Sequence, residues 1–290
     1  MILPYLTHIL ILIGIYTILI VSLNLALGYS GLLNLGHVAL FGIGAYTSAL
    51  LTIHGVPFIL SFIIAGIVAA LFGLLLVFAT RRLKGDYFAL ASLGFSFVVY
   101  SLLLNLTELT RGPLGIAGIS RPNLFGLVIK SNNYYLIFVA IISFASIFLI
   151  NKLVKSDFGK LLEAMRDDEV GLRVLGKDTT KLKYKVMLVS GFFTGISGSL
   201  FAHYIGFIDP NTFYISELIL LITIVIIGGI ASIKGSIIST FIILSLSEII
   251  RFLPVPSSIV GPVRQITYAI VLLLILMFKP RGLFGRIDLE

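Results

Sequence analysis

Residues 151–185 read NKLVKSDFGKLLEAMRDDEVGLRVLGKDTTKLKYK, the one long polar interval in a sequence that is otherwise nearly continuous hydrocarbon. The interval carries nine Lys/Arg and six Asp/Glu, yet apolar residues recur at helical spacing: Leu161, Met165, Leu172 and Leu175. That pattern predicts an amphipathic helix, and its apolar face must rest on something. Three surfaces are open to it: the chain's own membrane part, the lipid headgroups, or a soluble partner pressed against the cytoplasmic side. The partner is the reading favoured here; a solvated connector is the plain alternative.

The flanks decide the class. Mean hydropathy is +1.12, and only 12% of the 290 residues are charged, against about 25% in an ordinary soluble domain. At least eight stretches reach the about 20 apolar residues that a helical span requires. The chain is therefore expected to be an all-α polytopic membrane protein of about 8–10 transmembrane helices, a single membrane domain over 1–290. The N-terminal run lacks a basic region and a small-residue cleavage site, so it reads as a retained span. No cysteine is present, which excludes disulfides and thiolate chemistry.

The expected spans are Tyr5–Leu27, Pro57–Ala79, Tyr87–Leu104, Tyr134–Ile150, Val186–Ile205, a short Glu217–Ala231, Ser236–Phe252 and Val263–Phe278, with Pro254, Pro256 and Pro262 breaking the chain before the last. Residues 105–132, rich in Gly and Pro, read as an external loop. Sixteen Lys/Arg fall at 81–84, in 151–185, at Lys234 and in the tail; Arg111, Arg121, Lys130, Arg251 and Arg264 fall on the other side. By the positive-inside rule the long loop and the C-terminus are cytoplasmic, and nine spans put the N-terminus outside. The net charge of +8 is thus topological, and no nucleic-acid partner is implied.

A second segment stands out: NLALGYSGLLNLGHVALFGIGAYTSALL, residues 24–51. It is apolar, yet glycine recurs and Asn24, Asn34 and His37 lie among the glycines. Such a segment is broken or re-entrant where it lines a cavity, or it is a tight helix contact. As a substrate path it nominates Asn34, Gly36, His37, Phe41 and Gly42, with Gly94 in the small-residue run of the fourth span. Gly191, Gly195 and Gly198, with Ser190 and Ser197, offer a face for close helix crossing. GYSGLLNLG at Gly28–Gly36 and GGIASIKG at Gly228–Gly235 are loosely alike and could mark related halves.

Chemistry inside the spans is sparse. Glu248 is the one carboxylate well within an apolar stretch, and Glu217 opens a span; this argues against a proton relay. The four histidines lack metal-ligand spacing. Residues Gly171–Asp178, GLRVLGKD, match G-x-x-x-x-G-K, but Asp178 replaces the Mg²⁺-binding Ser/Thr and no strand precedes it, so this is not a nucleotide loop. No cofactor is expected in this chain; ATP and Mg²⁺ would be bound elsewhere. A transporter working alone on an ion gradient is the alternative of another class.

These motifs, together with ALASLGFSF, TRGPLGI at Thr110–Ile116 and the closing MFKPRGLFG, resemble the permease subunits of branched-chain amino acid ABC transporters, and more closely the M-type of the two sister permeases. The resemblance covers nearly the whole chain. It implies an importer in a prokaryotic inner membrane, built with a sister permease, two ATPase subunits and an extracytoplasmic substrate-binding protein. It also implies a cytoplasmic coupling helix, matched here by Glu163, Ala164, Arg166, Asp167, Asp168, Glu169 and Gly176. Permeases for urea and short amides share much of the pattern.

Overall fold

A computed structural model describes residues 2–83, 85–124, 127–129, 131–251 and 257–285. The sequence readings at Lys84, Lys130, Phe252, Pro254, Pro256 and Arg286 lie outside them. Among the described residues, twelve helices follow one another: α1 Ile2–Asn24, α2 His37–Ile53, α3 Phe58–Thr80, α4 Asp86–Asn105, α5 Thr107–Thr110, α6 Asn132–Val154, α7 Asp157–Asp167, α8 Glu169–Val174, α9 Thr179–Ile205, α10 Ile215–Gly228, α11 Ile233–Arg251 and α12 Ser257–Phe278. Eight stretches are long and apolar enough to cross a membrane, and α2 is a shorter apolar helix. Helices are the solution hydrocarbon permits, because each backbone group finds its partner within the segment. The chain is an all-α polytopic membrane protein.

The core is α1, α2, α3 and α9. Small residues let α2, α3 and α9 come within backbone contact: a Cβ on Gly195 would stand 2.5 Å from the Ala65 carbonyl oxygen, and one on Gly191 would stand 3.0 Å from the Ala69 oxygen. Polar bonds tie α9 to α1 on its other side. The Ser190 hydroxyl donates to the Ser22 carbonyl (2.8 Å) and Ser197 to that of Ile15 (2.9 Å). The outward faces of α3, α4, α6 and α12 are apolar, as contact with lipid tails requires: Ile67, Leu71, Leu90, Phe144 and Leu273 are all exposed.

The two ends differ. At one end, among the described residues of 105–132, β1 (Ile116–Ala117) pairs antiparallel with β4 (Phe207–Ile208), and β2 (Asn123–Leu124) pairs antiparallel with β3 (Leu127–Val128). Arg121 lies over the Tyr135 and Tyr204 rings at this end. The opposite end gathers Arg81, α7, α8 and the turn after α12, where the Leu283 amide donates to the Ile227 carbonyl (2.8 Å).

Three boundaries differ from the sequence reading. α9 starts at Thr179, seven residues early, because the Asp178 side chain accepts from the Lys181 amide and caps it. The span expected from Glu217 starts instead at Pro210, with a 3₁₀ turn, Pro210–Phe213, capped by Asp209. Pro262 lies inside α12 rather than before it; so near the N-terminus, its missing N–H removes one hydrogen bond and the helix continues.

Candidate functional site

The segment 24–51 is broken, and each break has a local cause. α1 does not stop at Asn24 but widens into a π-helical turn, Leu25–Tyr29. The Gly31 amide then reaches back to Leu27 (3.1 Å) and that of Leu32 to Ala26 (3.0 Å). Gly31 adopts φ +71°, a conformation glycine takes without penalty. Residues 31–36 form no helix, so their backbone groups need partners from elsewhere. Two serines one turn apart on α4 supply several: the Leu35 amide donates to Ser92 Oγ (2.9 Å), and Ser96 donates to the Leu35 carbonyl (2.8 Å). Asn34 Oδ1 accepts from the Gly36 amide (2.9 Å), leading the chain into α2.

α2 opens on His37, which is fully buried. Its Nε2 lies 2.9 Å from Thr194 Oγ1, 3.1 Å from Ser22 Oγ and 3.2 Å from the Leu19 carbonyl. The Leu19 oxygen only accepts, so Nε2 carries the proton, and Nδ1 meets no partner among the described residues. One turn on, Phe41 and Gly42 face the 3₁₀ turn before α10: the Phe41 and Phe213 rings lie 5.3 Å apart, and a Cβ on Gly42 would stand 3.0 Å from Phe213. Asn34, Gly36 and His37 therefore lie at one closed, packed junction of α1, α2, α4 and α9, while Phe41 and Gly42, one turn further along α2, pack against the 3₁₀ turn. Gly94 is apart from them, exposed on the outer face of α4 with open space around it.

Asn24 performs a second junction. Its Oδ1 accepts from the Ala231 amide (3.0 Å), and its Nδ2 donates to Ser236 Oγ (2.7 Å) and the Ser232 carbonyl (3.2 Å). The two loosely similar stretches, 28–36 and 228–235, thus meet: a Cβ on Gly28 would stand 3.1 Å from the Ala231 Cα.

The elbow at 151–185 is two helices, not one. Asp168 leaves helical geometry at φ −151°, ψ 94°, and its side chain accepts from the Val170 (3.0 Å) and Gly171 (2.9 Å) amides, starting α8 afresh. The inner face of α7, with Leu162 and Met165, is buried on the chain's own membrane part, and so is Leu172 of α8. That much of the apolar face needs no partner. After the break the helical phase resets, and Val170, Val174 (82% exposed) and Leu175 (77%) point outward.

The coupling candidates divide accordingly. Ala164, Asp167, Asp168 and Gly176 are exposed, and Glu163 is half-buried. Arg166 turns inward: its side chain is 17% exposed, with a guanidinium N–H donating to the Gly28 carbonyl (3.0 Å) and Nε to Asp167 (2.8 Å). Glu169 ties the corner to α9, pairing with Lys183 (2.9 Å), Arg173 and Thr179 (3.0 Å). Partial burial works to raise its carboxyl, but Lys183, Thr179 and Arg173 outweigh that and hold it below the ordinary value. The G-x-x-x-x-G-K match is a helix–turn–helix corner, with Gly176 at φ +77° and Asp178 capping α9.

Sequence reasoning missed several participants. Ser22, Thr194, Ser92 and Ser96 read as ordinary small residues, though Ser92 and Ser96 repeat at i, i+4 in an apolar helix. The sequence sets Glu217 at a span's mouth; in the structure it accepts a hydrogen bond from Tyr16 (2.5 Å), well along α1.

The family model for the branched-chain amino acid transport system / permease component matches residues 5–278. The chain is 37% identical over 261 residues to the high-affinity branched-chain amino acid transport system permease protein LivM of Escherichia coli (strain K12), an alignment covering 82% of this chain and 61% of that protein. It is thus matched to about three fifths of that relative's length. It is 26% identical over 317 residues to the probable branched-chain amino acid transport permease protein LivM of Methanocaldococcus jannaschii, covering 93% of this chain and 90% of that one. It is also 26% identical over 192 residues to the guanosine ABC transporter permease protein NupQ of Bacillus subtilis (strain 168), covering 60% and 59%. No solved structure matches. The broken second segment, the small-residue core and the capped elbow are the architecture of a chain that belongs to the family of permease components of branched-chain amino acid transport systems.

Proposed function

We propose that this chain is the membrane permease subunit of an ATP-driven importer of branched-chain amino acids in a prokaryotic inner membrane. It works with a sister permease, two ATPase subunits that bind ATP and Mg²⁺, and an extracytoplasmic substrate-binding protein. The observation that carries this reading is the apolar knob Val170, Val174 and Leu175 on the basic end of the molecule. Three exposed apolar residues among charges, beyond the lipid-facing helices, suit a groove in a soluble protein. The surrounding Glu163, Asp167, Asp168 and Lys177 would set orientation more than affinity.

The substrate path runs, in this reading, along the seam between α4 and the 3₁₀ turn at Pro210–Phe213, beside the Asn34–Gly42 junction. Phe97, Tyr100 and Tyr214 supply its walls, suited to leucine-like side chains, and Gly94, exposed on the outer face of α4, would give the helix room to move. Nucleotide-driven closure of the ATPases would bias the membrane part between access states.

The test is uptake into proteoliposomes holding this chain with and without its partners. ATP-dependent leucine uptake that needs the ATPases and is competed by valine supports the reading. Uptake by this chain alone down an ion gradient would replace it with a stand-alone carrier. Competition by guanosine but not valine would move the substrate to nucleosides, as the name of the Bacillus relative suggests.

A further inference from the structure

We propose that Arg166 is the positioning residue that carries movement of the α7–α8 elbow into the membrane interior, acting through the π-helical turn at the end of α1. The proposal rests on the permease reading above and adds the route by which force travels. Arg166 lies two residues before the break that starts α8, the helix bearing the exposed knob. Its side chain points away from that knob and donates to the Gly28 carbonyl, inside the π turn. The contact is not confined to the guanidinium. A Cβ on Gly31 would stand 3.0–3.3 Å from Arg166 Cγ, Cα and Cβ, so the backbone after the π turn lies directly on α7.

Three elements meet at that point. Asn24, four residues before Gly28, clamps the α10–α11 corner through Ala231, Ser232 and Ser236. Beyond Gly31 the chain is tethered to α4 by Ser92 and Ser96 and runs into His37 and α2. Displacing α7 would therefore act on α1, α2 and α10–α11 together. A π turn is suited to give way, because such turns are rare, widened departures from the α-helix and recur at functional sites. There is also room to move: a cavity of about 190 Å³ adjoins the contact, lined by Ser30, Gly31, Leu32, Leu83, Phe88 and Met165 among others. The competing explanation is local, with Arg166 serving only to satisfy an orphan carbonyl at the end of α1.

The assembled complex separates the two. Because the chain has no cysteine, Ser30→Cys places a single thiol of this subunit beside the cavity. Its maleimide labelling is compared in nucleotide-free and vanadate-trapped complexes, with Arg166 intact and with Arg166→Ala. Leucine carried per ATP hydrolysed is measured in the same preparations. The proposal expects labelling to change at least threefold between the two states with Arg166 present and to lose that dependence in Arg166→Ala. It also expects leucine per ATP to fall at least tenfold in the variant. It is overturned if Arg166→Ala keeps the nucleotide-dependent labelling, or if uptake and hydrolysis fall together in proportion to the amount of complex assembled. A complex with Arg166 intact that hydrolyses no ATP when leucine is supplied would sink the permease reading itself, whatever the variant does.

Discussion

Gly195 and Gly42 are both buried glycines on core helices, yet they face different neighbours, and the difference predicts different failures. A side chain at Gly195 meets the Ala65 carbonyl and Ala69 Cβ, which cannot withdraw without parting α3 from α9. At Gly42 the neighbours are Cγ and Cβ of Phe213, at 3.0 and 3.1 Å, side-chain atoms that must shift by a few tenths of an ångström to admit a methyl group. Overpacking a core typically costs about 1–3 kcal/mol. Gly195→Val is expected at or above the top of that range, with loss of monodisperse protein in detergent. Gly42→Ala is expected near the bottom, with normal assembly and impaired transport; size-exclusion profiles and leucine uptake on the same samples check both. The glycines were legible in the sequence because their spacing on one helix face is unusual. Which of them meets backbone and which meets a side chain was not, since that depends on partners far away in the chain. The same limit hid the serines that hold residues 33–36, whose roles exist only because an unwound strand lies beside them.

The elbow is the element where reading and structure part most usefully. Leu161, Met165, Leu172 and Leu175 look like one stripe at helical spacing, and a single amphipathic helix follows if nothing interrupts it. Asp168 interrupts it by capping a new helix, so the register before the break says nothing about the face after it. Leu172 goes inward and Leu175 outward. Two predictions belong here. Val174→Asp combined with Leu175→Asp should leave the melting temperature of this chain nearly unchanged, since exposed substitutions usually stay within about 0.5 kcal/mol. It should nonetheless weaken ATPase docking by about 2 kcal/mol or more if the knob is an interface hot spot, roughly thirtyfold in dissociation constant at that value. Co-purification of the ATPase and its binding curve check this. The second concerns acid. Glu169 is held below its ordinary value of 4.5 by Lys183, Thr179 and Arg173 despite its partial burial. A lowered carboxylate contributes stability that is complete above the unfolded value and is lost as pH falls through the folded one. Backbone amides of 169–183 should therefore keep their exchange protection at pH 6 and lose it progressively as pH falls below the ordinary glutamate range, whereas Glu169→Gln should show the weaker protection already at pH 6.

At the scale of the whole molecule, an all-helical, many-pass arrangement with two unlike ends was readable from hydropathy and charge, because the bilayer imposes both. The start of the pass that ends at Gly228 was not: Pro210, Asn211 and Thr212 have loop chemistry, and only contact with Phe41 shows that Phe213 enters the core. In the proposed mechanism, energy from separate ATPases enters through the α8 knob. Leu175→Cys in this cysteine-free chain, cross-linked within the assembled complex, tests it most directly, with Leu114→Cys, exposed at the opposite end, as the comparison. The account predicts a covalent product between Leu175→Cys and the ATPase subunit, and none from Leu114→Cys. Leu175→Cys that forms no such product, and instead reacts with a membrane-impermeant thiol reagent applied outside intact cells, would contradict it.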